Sequence, residues 1–168
     1  EPGIRMLLDS LAACEEPDCR AEVIIIINAP REAGAGNLEN NKVCAQRITE
    51  WKQENPGSFF RLYSFNAGQP SMEGWGVGHA RKAGMDEALR RFSLIGNPDG
   101  VIVSLDADCT VEKNYFVSIC RELFLREDRK ACSVRFMHPV KGSEFPEENY
   151  RYAAMYELHM RYFYQALR

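Results

Sequence analysis

Val101-Ile102-Val103-Ser104-Leu105-Asp106-Ala107-Asp108 is the stretch on which the fold reading turns. Five residues, apolar but for one serine, read as a buried strand, and two acids mark where the chain leaves it. Residues two apart on an extended segment point the same way, so Asp106 and Asp108 are placed to offer two carboxylates to one point. Adjacent carboxylates repel and favour a cation between them. Hard oxygen donors of this kind suit Mg²⁺ or Mn²⁺, which also hold a diphosphate. Asp-x-Asp is equally a common turn sequence, so the pair alone leaves both readings open.

Working outward, the same alternation of strand and helix recurs. Ile4, Leu7, Leu8 and Leu11 repeat at helical spacing over residues 4–14. Residues 22–28 form an apolar strand ending at Asn28, where a polar side chain can meet a base or ribose or simply cap the strand. A helix is predicted over 38–54, with Val43, Cys44, Ile48 and Trp51 inward, stopped by Asn55-Pro56-Gly57. A strand over 59–65 leads into a loop carrying Gly68, Gly74, Gly76 and Gly78. The next helix spans 79–92, with Ala80, Gly84, Ala88 and Phe92 on one face. After Asp108 a helix is predicted over 112–127, a fourth strand over 131–137, and a long aromatic helix over 147–167 that needs neighbours on more than one face. Such alternation argues for an α/β fold with a mostly parallel sheet. Ligands of such sheets bind beyond the carboxyl ends of the strands, so the loops after Asn28, Phe65 and Leu105 share one rim.

Gly76-Val77-Gly78-His79-Ala80-Arg81 is the second chemical signal. Glycines let backbone N–H groups approach an anion, and a helix start adds its positive end. Arg81, in the first turn, adds a fixed charge for phosphate or base. A plain loop-to-helix junction with a surface arginine explains the same residues. Of the three histidines, His79 alone falls near this rim, and no Ser-His-Asp or Cys-His set can be assembled.

Composition narrows the classes. The 168 residues are 45% hydrophobic and 27% charged, ordinary for a globular protein. A net charge of −3 favours neither nucleic acid nor an anionic membrane. The chain has no apolar run long enough for a membrane span. The six cysteines have no Cys-x-x-Cys spacing and read mostly as small reduced core residues, with a Cys14–Cys19 bridge conceivable only in an oxidising compartment. From reduced cysteines and no visible leader, a cytoplasmic location is the expectation.

At these residues the sequence resembles glycosyltransferase family 2, over residues 1–140. Gly76, Ala80, Arg81 and Gly84 match the family's Gly-x-x-x-Ala-Arg-Asn-x-Gly helix start, with Lys82 in the Asn place. Ser104 to Asp108 matches its strand ending in Asp-x-Asp. Leu8-Asp9-Ser10-Leu11 resembles the family's first helix, and Val23–Asn28 its second strand, with Asn28-Ala29 replacing the usual Asp-Asp. Glu1 resembles the Glu closing the family's first strand, which this chain then lacks.

The resemblance implies a GT-A fold in two parts, a nucleotide-sugar-binding domain over 1–140 and the helical start of an acceptor-side segment over 141–168. It implies inverting, metal-dependent sugar transfer from a UDP- or GDP-type donor to an acceptor such as a glycan. Asp108 would ligate Mn²⁺ or Mg²⁺, and Asp106 would hold ribose or the metal through water. Asn28, Arg81 and the backbone at Gly76 and Gly78 would face the nucleotide. The family's catalytic base lies well beyond Asp-x-Asp, and Glu147-Glu148 comes too early, so the base is expected past residue 168 and this chain alone is expected to bind donor weakly or not turn over. Two rivals are a nucleotidyltransferase-like enzyme and a non-catalytic module that docks its aromatic helix on a partner.

Overall fold

The computed structural model describes residues 3–30, 32–68, 76–126 and 128–167. Glu1 and Gly74, singled out above, lie outside the described residues. Two compact units are present, one over 1–130 and one over 131–168. The segment expected as a fourth strand thus belongs to the C-terminal unit.

The first unit is an α/β layer. Helix α1 (Gly3–Ala12) buries Ile4, Leu7, Leu8 and Leu11, the stripe its spacing predicts. Strand β1 (Ala21–Asn28) pairs in parallel with β2 (Phe60–Gly68), from Ala21 opposite Phe60 to Ile27 opposite Asn66. The register slips after Ile27, so that Asn28 faces Gly68. Helix α2 (Ala35–Glu54) connects them and buries Cys44, Ile48 and Trp51. These side chains join Ile27, Phe60 and Leu62 in one apolar cluster with α1. Trp51 stacks on Phe60 with ring centres 5.8 Å apart, and its Nε1–H donates to Asp9 Oδ1 at 2.7 Å.

Alternation along β1 sends the even-numbered isoleucines to the other face, where helix α3 (Val77–Leu94) packs. A Cβ on Gly84 of α3 would sit 3.5 Å from Ile26 Cγ1. That is an ordinary van der Waals separation, so this turn of α3 lies against β1. Further along, Arg91 reaches Glu22 of β1 at 3.1 Å and lies over the Tyr63 ring of β2, 3.8 Å from its centre. Helix α4 (Tyr115–Leu123) is shorter than the predicted 112–127. Phe124, expected inward, is 45% exposed. Phe116 does turn inward, edge-on to Phe59 at 5.2 Å.

Two sequence expectations fail. Residues 101–105 and 131–137 carry strand-forming composition, but among the described residues the sheet has two strands only. A strand exists through its ladder, and neither segment has a backbone partner. Residues 101–108 and β1 both line one open cleft and are not joined by a ladder. Ile102 and Val103 are consequently 41% and 43% exposed.

The C-terminal unit is organised around helix α5 (Glu147–Ala166). Tyr150 is its buried residue, and the Tyr150 hydroxyl accepts from the N–H groups of Glu144 at 3.0 Å and Phe145 at 3.1 Å. His138 donates its backbone N–H to Glu157 Oε1 at 2.9 Å, and its ring Nδ1 lies 2.8 Å from the same oxygen. The expected burial of the aromatic helix on several faces is not found, since Tyr152, Tyr156, Tyr162 and Phe163 are all exposed. Among the described residues no helix is long and apolar enough to cross a membrane.

Candidate functional site

Along the whole length of β1, the first unit opens into a cleft of about 1860 Å³. Its walls are the aliphatic residues of β1 and the segment 101–105. Its polar lining includes Asn28, Arg81, Asp106 and Asp108, four of the six residues selected from sequence. Gly76 and Gly78 are not among the lining residues. Gly76 instead caps α3, its carbonyl accepting from His79 and Ala80 N–H at 3.1 Å each, and Gly78 lies in the first turn.

Arg81 and Asp106 meet directly, Nη2 of the guanidinium donating to Oδ1 of the carboxylate. The pair is about half exposed on both sides, 46% and 53%. Exposed pairs of this kind contribute roughly 0–1 kcal/mol, so the contact yields readily to a competing anion. Asp108 follows a different course from the one expected. The backbone turns at Ala107-Asp108, with Cys109 N–H donating to the Asp106 carbonyl at 3.3 Å. The turn ends the alternation, so the two carboxylates do not leave a strand side by side. Asp108 instead receives the Cys109 thiol at 3.8 Å. Both carboxylates still act on one neighbour: burial first, then the charges of Asp108 and Asp106, push the Cys109 thiol up.

Asn28 contributes through its backbone as well. Its carbonyl accepts from Asn41 Nδ2 of α2 at 2.9 Å, which anchors the end of β1 where the register slips.

Sequence reasoning missed what holds the acidic segment. The segment after Asp108 is fastened to α1 and the residues that follow it. Val111 N–H donates to Ser10 Oγ at 3.2 Å, the Cys14 thiol to the Glu112 carbonyl at 3.4 Å, and Glu15 N–H to the Lys113 carbonyl at 2.8 Å. At the other end of α1, a Cβ on Gly3 would meet Asp108 Cα at 3.3 Å. Gly3 therefore permits the start of α1 to touch the acidic turn. Nothing local in the sequence signals contacts across some hundred residues. On the preceding side, the Phe92 ring occupies the space a Gly100 side chain would need, 2.3 Å from that Cβ position.

Among the described residues no three His, Cys, Asp or Glu side chains converge on a point that could hold a metal. Asp106 and Asp108 are nonetheless hard oxygen donors in a donor set of the type Mg²⁺ accepts, where one or two carboxylates are completed by substrate phosphates and water.

The fold and site define an α/β domain with a largely aliphatic cleft along a parallel strand, into which Asn28, Arg81, Asp106 and Asp108 bring polar groups. No family model, no curated protein and no solved structure gives a significant match to the chain.

Proposed function

We propose that this chain is the nucleotide-sugar-binding part of a GT-A-type glycosyltransferase. The observation that supports it is the meeting of Arg81 with Asp106 in the lining of a cleft that Asp108 and Asn28 also line. In this reading Arg81 gives up its exposed contact with Asp106 to a phosphate oxygen of the donor, exchanging one charge-assisted hydrogen bond for another. Asp108, with Asp106, would hold Mn²⁺ or Mg²⁺ against the diphosphate. The cation would supply neutralisation of the charge that develops on the departing nucleoside diphosphate. Asn28 would hydrogen-bond base or ribose in this reading. The aliphatic walls of the cleft exclude water from one side of the donor. The proton acceptor for the sugar acceptor's hydroxyl is not assigned to a residue of this chain.

The test is a melting-shift and calorimetric titration with UDP and GDP, in Mn²⁺ and in chelator. With ligand about 100-fold above its Kd, the expected stabilisation is about 2.7 kcal/mol, a rise of roughly 5–10 °C. Asp108→Ala should abolish the metal-dependent part, and Arg81→Ala should weaken nucleotide about ten-fold or more. Equal stabilisation in chelator removes the metal from the proposal. The exposed aromatic face of α5 favours a second reading, a docking module. That reading predicts partner binding indifferent to Asp106→Ala and Asp108→Ala.

A further inference from the structure

Cys19 and Cys120 are 101 residues apart in sequence, yet their Sγ atoms lie 3.3 Å from each other. Cys19 is exposed, just ahead of β1, and Cys120 is half-buried on α4. Both line the cleft, so a small solute can reach them. The other thiols of this unit are engaged elsewhere. Cys14 donates to the Ser10 and Glu112 carbonyls, Cys44 is buried in the core, and Cys109 points at Asp108. The Cys14–Cys19 bridge conceivable from sequence is therefore not the pairing this fold prepares. A disulfide needs the two sulfurs to close to about 2.05 Å, a movement within reach of χ1 adjustment in an exposed loop residue.

We propose that Cys19 and Cys120 form a dithiol–disulfide couple, a modification site oxidised by low-molecular-weight disulfides of the glutathione type. The thiolate of Cys19, the exposed member, attacks one sulfur of oxidised glutathione. A Cys19–glutathione bond forms, the glutathione S–S bond breaks, and one glutathione thiolate leaves. Cys120 then loses its proton to solvent and attacks the Cys19 sulfur, expelling the second glutathione. Two protein thiols are oxidised and one glutathione disulfide is reduced to two thiols, so atoms and electrons balance. Burial, then the hydrogen bond and charge of Cys19, then the charge of Asp18 push the Cys120 thiol up to about 11. The contributions of Cys19 end once Cys19 is capped, which favours the resolving step after the first and not before it. The bridge fastens the residues entering β1 to α4, and it closes a long loop, which constrains the unfolded chain.

The whole chain, reduced and then equilibrated in glutathione buffers of graded oxidation, is denatured in excess alkylating reagent and weighed intact. Oxidising buffer should protect two of the six thiols, with the mass lower by two hydrogens before alkylation. Peptide mapping should give a Cys19–Cys120 crosslink, and the melting temperature should rise by roughly 5 °C or more. Cys19→Ser and Cys120→Ser should each abolish the protection, while Cys132→Ser leaves it intact. Cys19→Ser changes an exposed residue, so it reads out the couple without disturbing packing. Six alkylated thiols at every ratio, a persistent glutathione adduct on Cys19, or a crosslink to any other cysteine would overturn the proposal.

Discussion

Trp51 is the largest fully buried side chain, 1% exposed, and it joins three elements at once. Its ring covers Phe60 of β2 while its indole N–H reaches back to Asp9 of α1. Removing the ring leaves a cavity that aromatic neighbours cannot close, so Trp51→Ala should cost about 4 kcal/mol. Asp9→Ala removes the indole hydrogen bond, at about 1 kcal/mol, together with an exposed ion pair to Arg5 at 4.0 Å that adds little. Urea denaturation of the two variants checks the ratio, and equal losses would mean that the ring contributes no more than its hydrogen bond. At this scale the sequence was informative where neighbours are local. The stripe Ile4, Leu7, Leu8, Leu11 is legible because one helix face collects it. The Cys19–Cys120 approach and the Ser10–Val111 bond are not, because the chain between the partners carries no trace of their meeting.

Helix α3 carries a charge network, and one of its members, Arg91, reaches the sheet. Glu87 accepts from Arg90 and Arg91, and Arg91 continues to Glu22 and Tyr63. Arg90 first, then Arg91, outweigh the cost of burial and lower the Glu87 carboxyl to about 2. In the unfolded chain a Glu titrates near about 4.3. The folded value is the lower one, so the stabilisation is complete above about 4.3 and is lost as pH falls toward about 2. Melting temperatures of Glu87→Gln should therefore lie below the parent's near neutral pH and converge with them as pH drops through this window. A gap that stays constant with pH would remove the carboxylate from the account.

The elements that the sequence foretold are those whose signal is internal: helical periodicity for α1, α2 and α3, a continuous apolar run for β1, and the segments that became β2 and α5. Residues 101–105 and 131–137 were misread because composition supplies willingness to extend but not a neighbour to bond. The acidic turn was partly legible. Arg81 and Asp106 meet as their positions on one rim suggest, whereas the bend at Ala107-Asp108 was the alternative that a short polar tripeptide always leaves open.

Across the whole molecule, burial is unevenly spread. The fully buried side chains gather where α1, α2, β1 and β2 converge, while α5 buries Tyr150 and exposes Met155, Leu158 and Tyr162 by 59%, 67% and 69%. Opening free energy follows such differences. Hydrogen exchange should be slowest in 4–11, 44–51 and 60–62, and faster by orders of magnitude along the second half of α5. Uniform protection across both units would contradict this distribution.

The three hydrogen bonds that strap residues 111–113 to Ser10 of α1 and to Cys14 and Glu15 just beyond it give this helix and its exit leverage over the acidic turn they do not themselves supply. A sequence drifting under selection can thus retune the spacing of Asp106 and Asp108 by editing one amphipathic helix, leaving every polar group in the cleft lining chemically untouched.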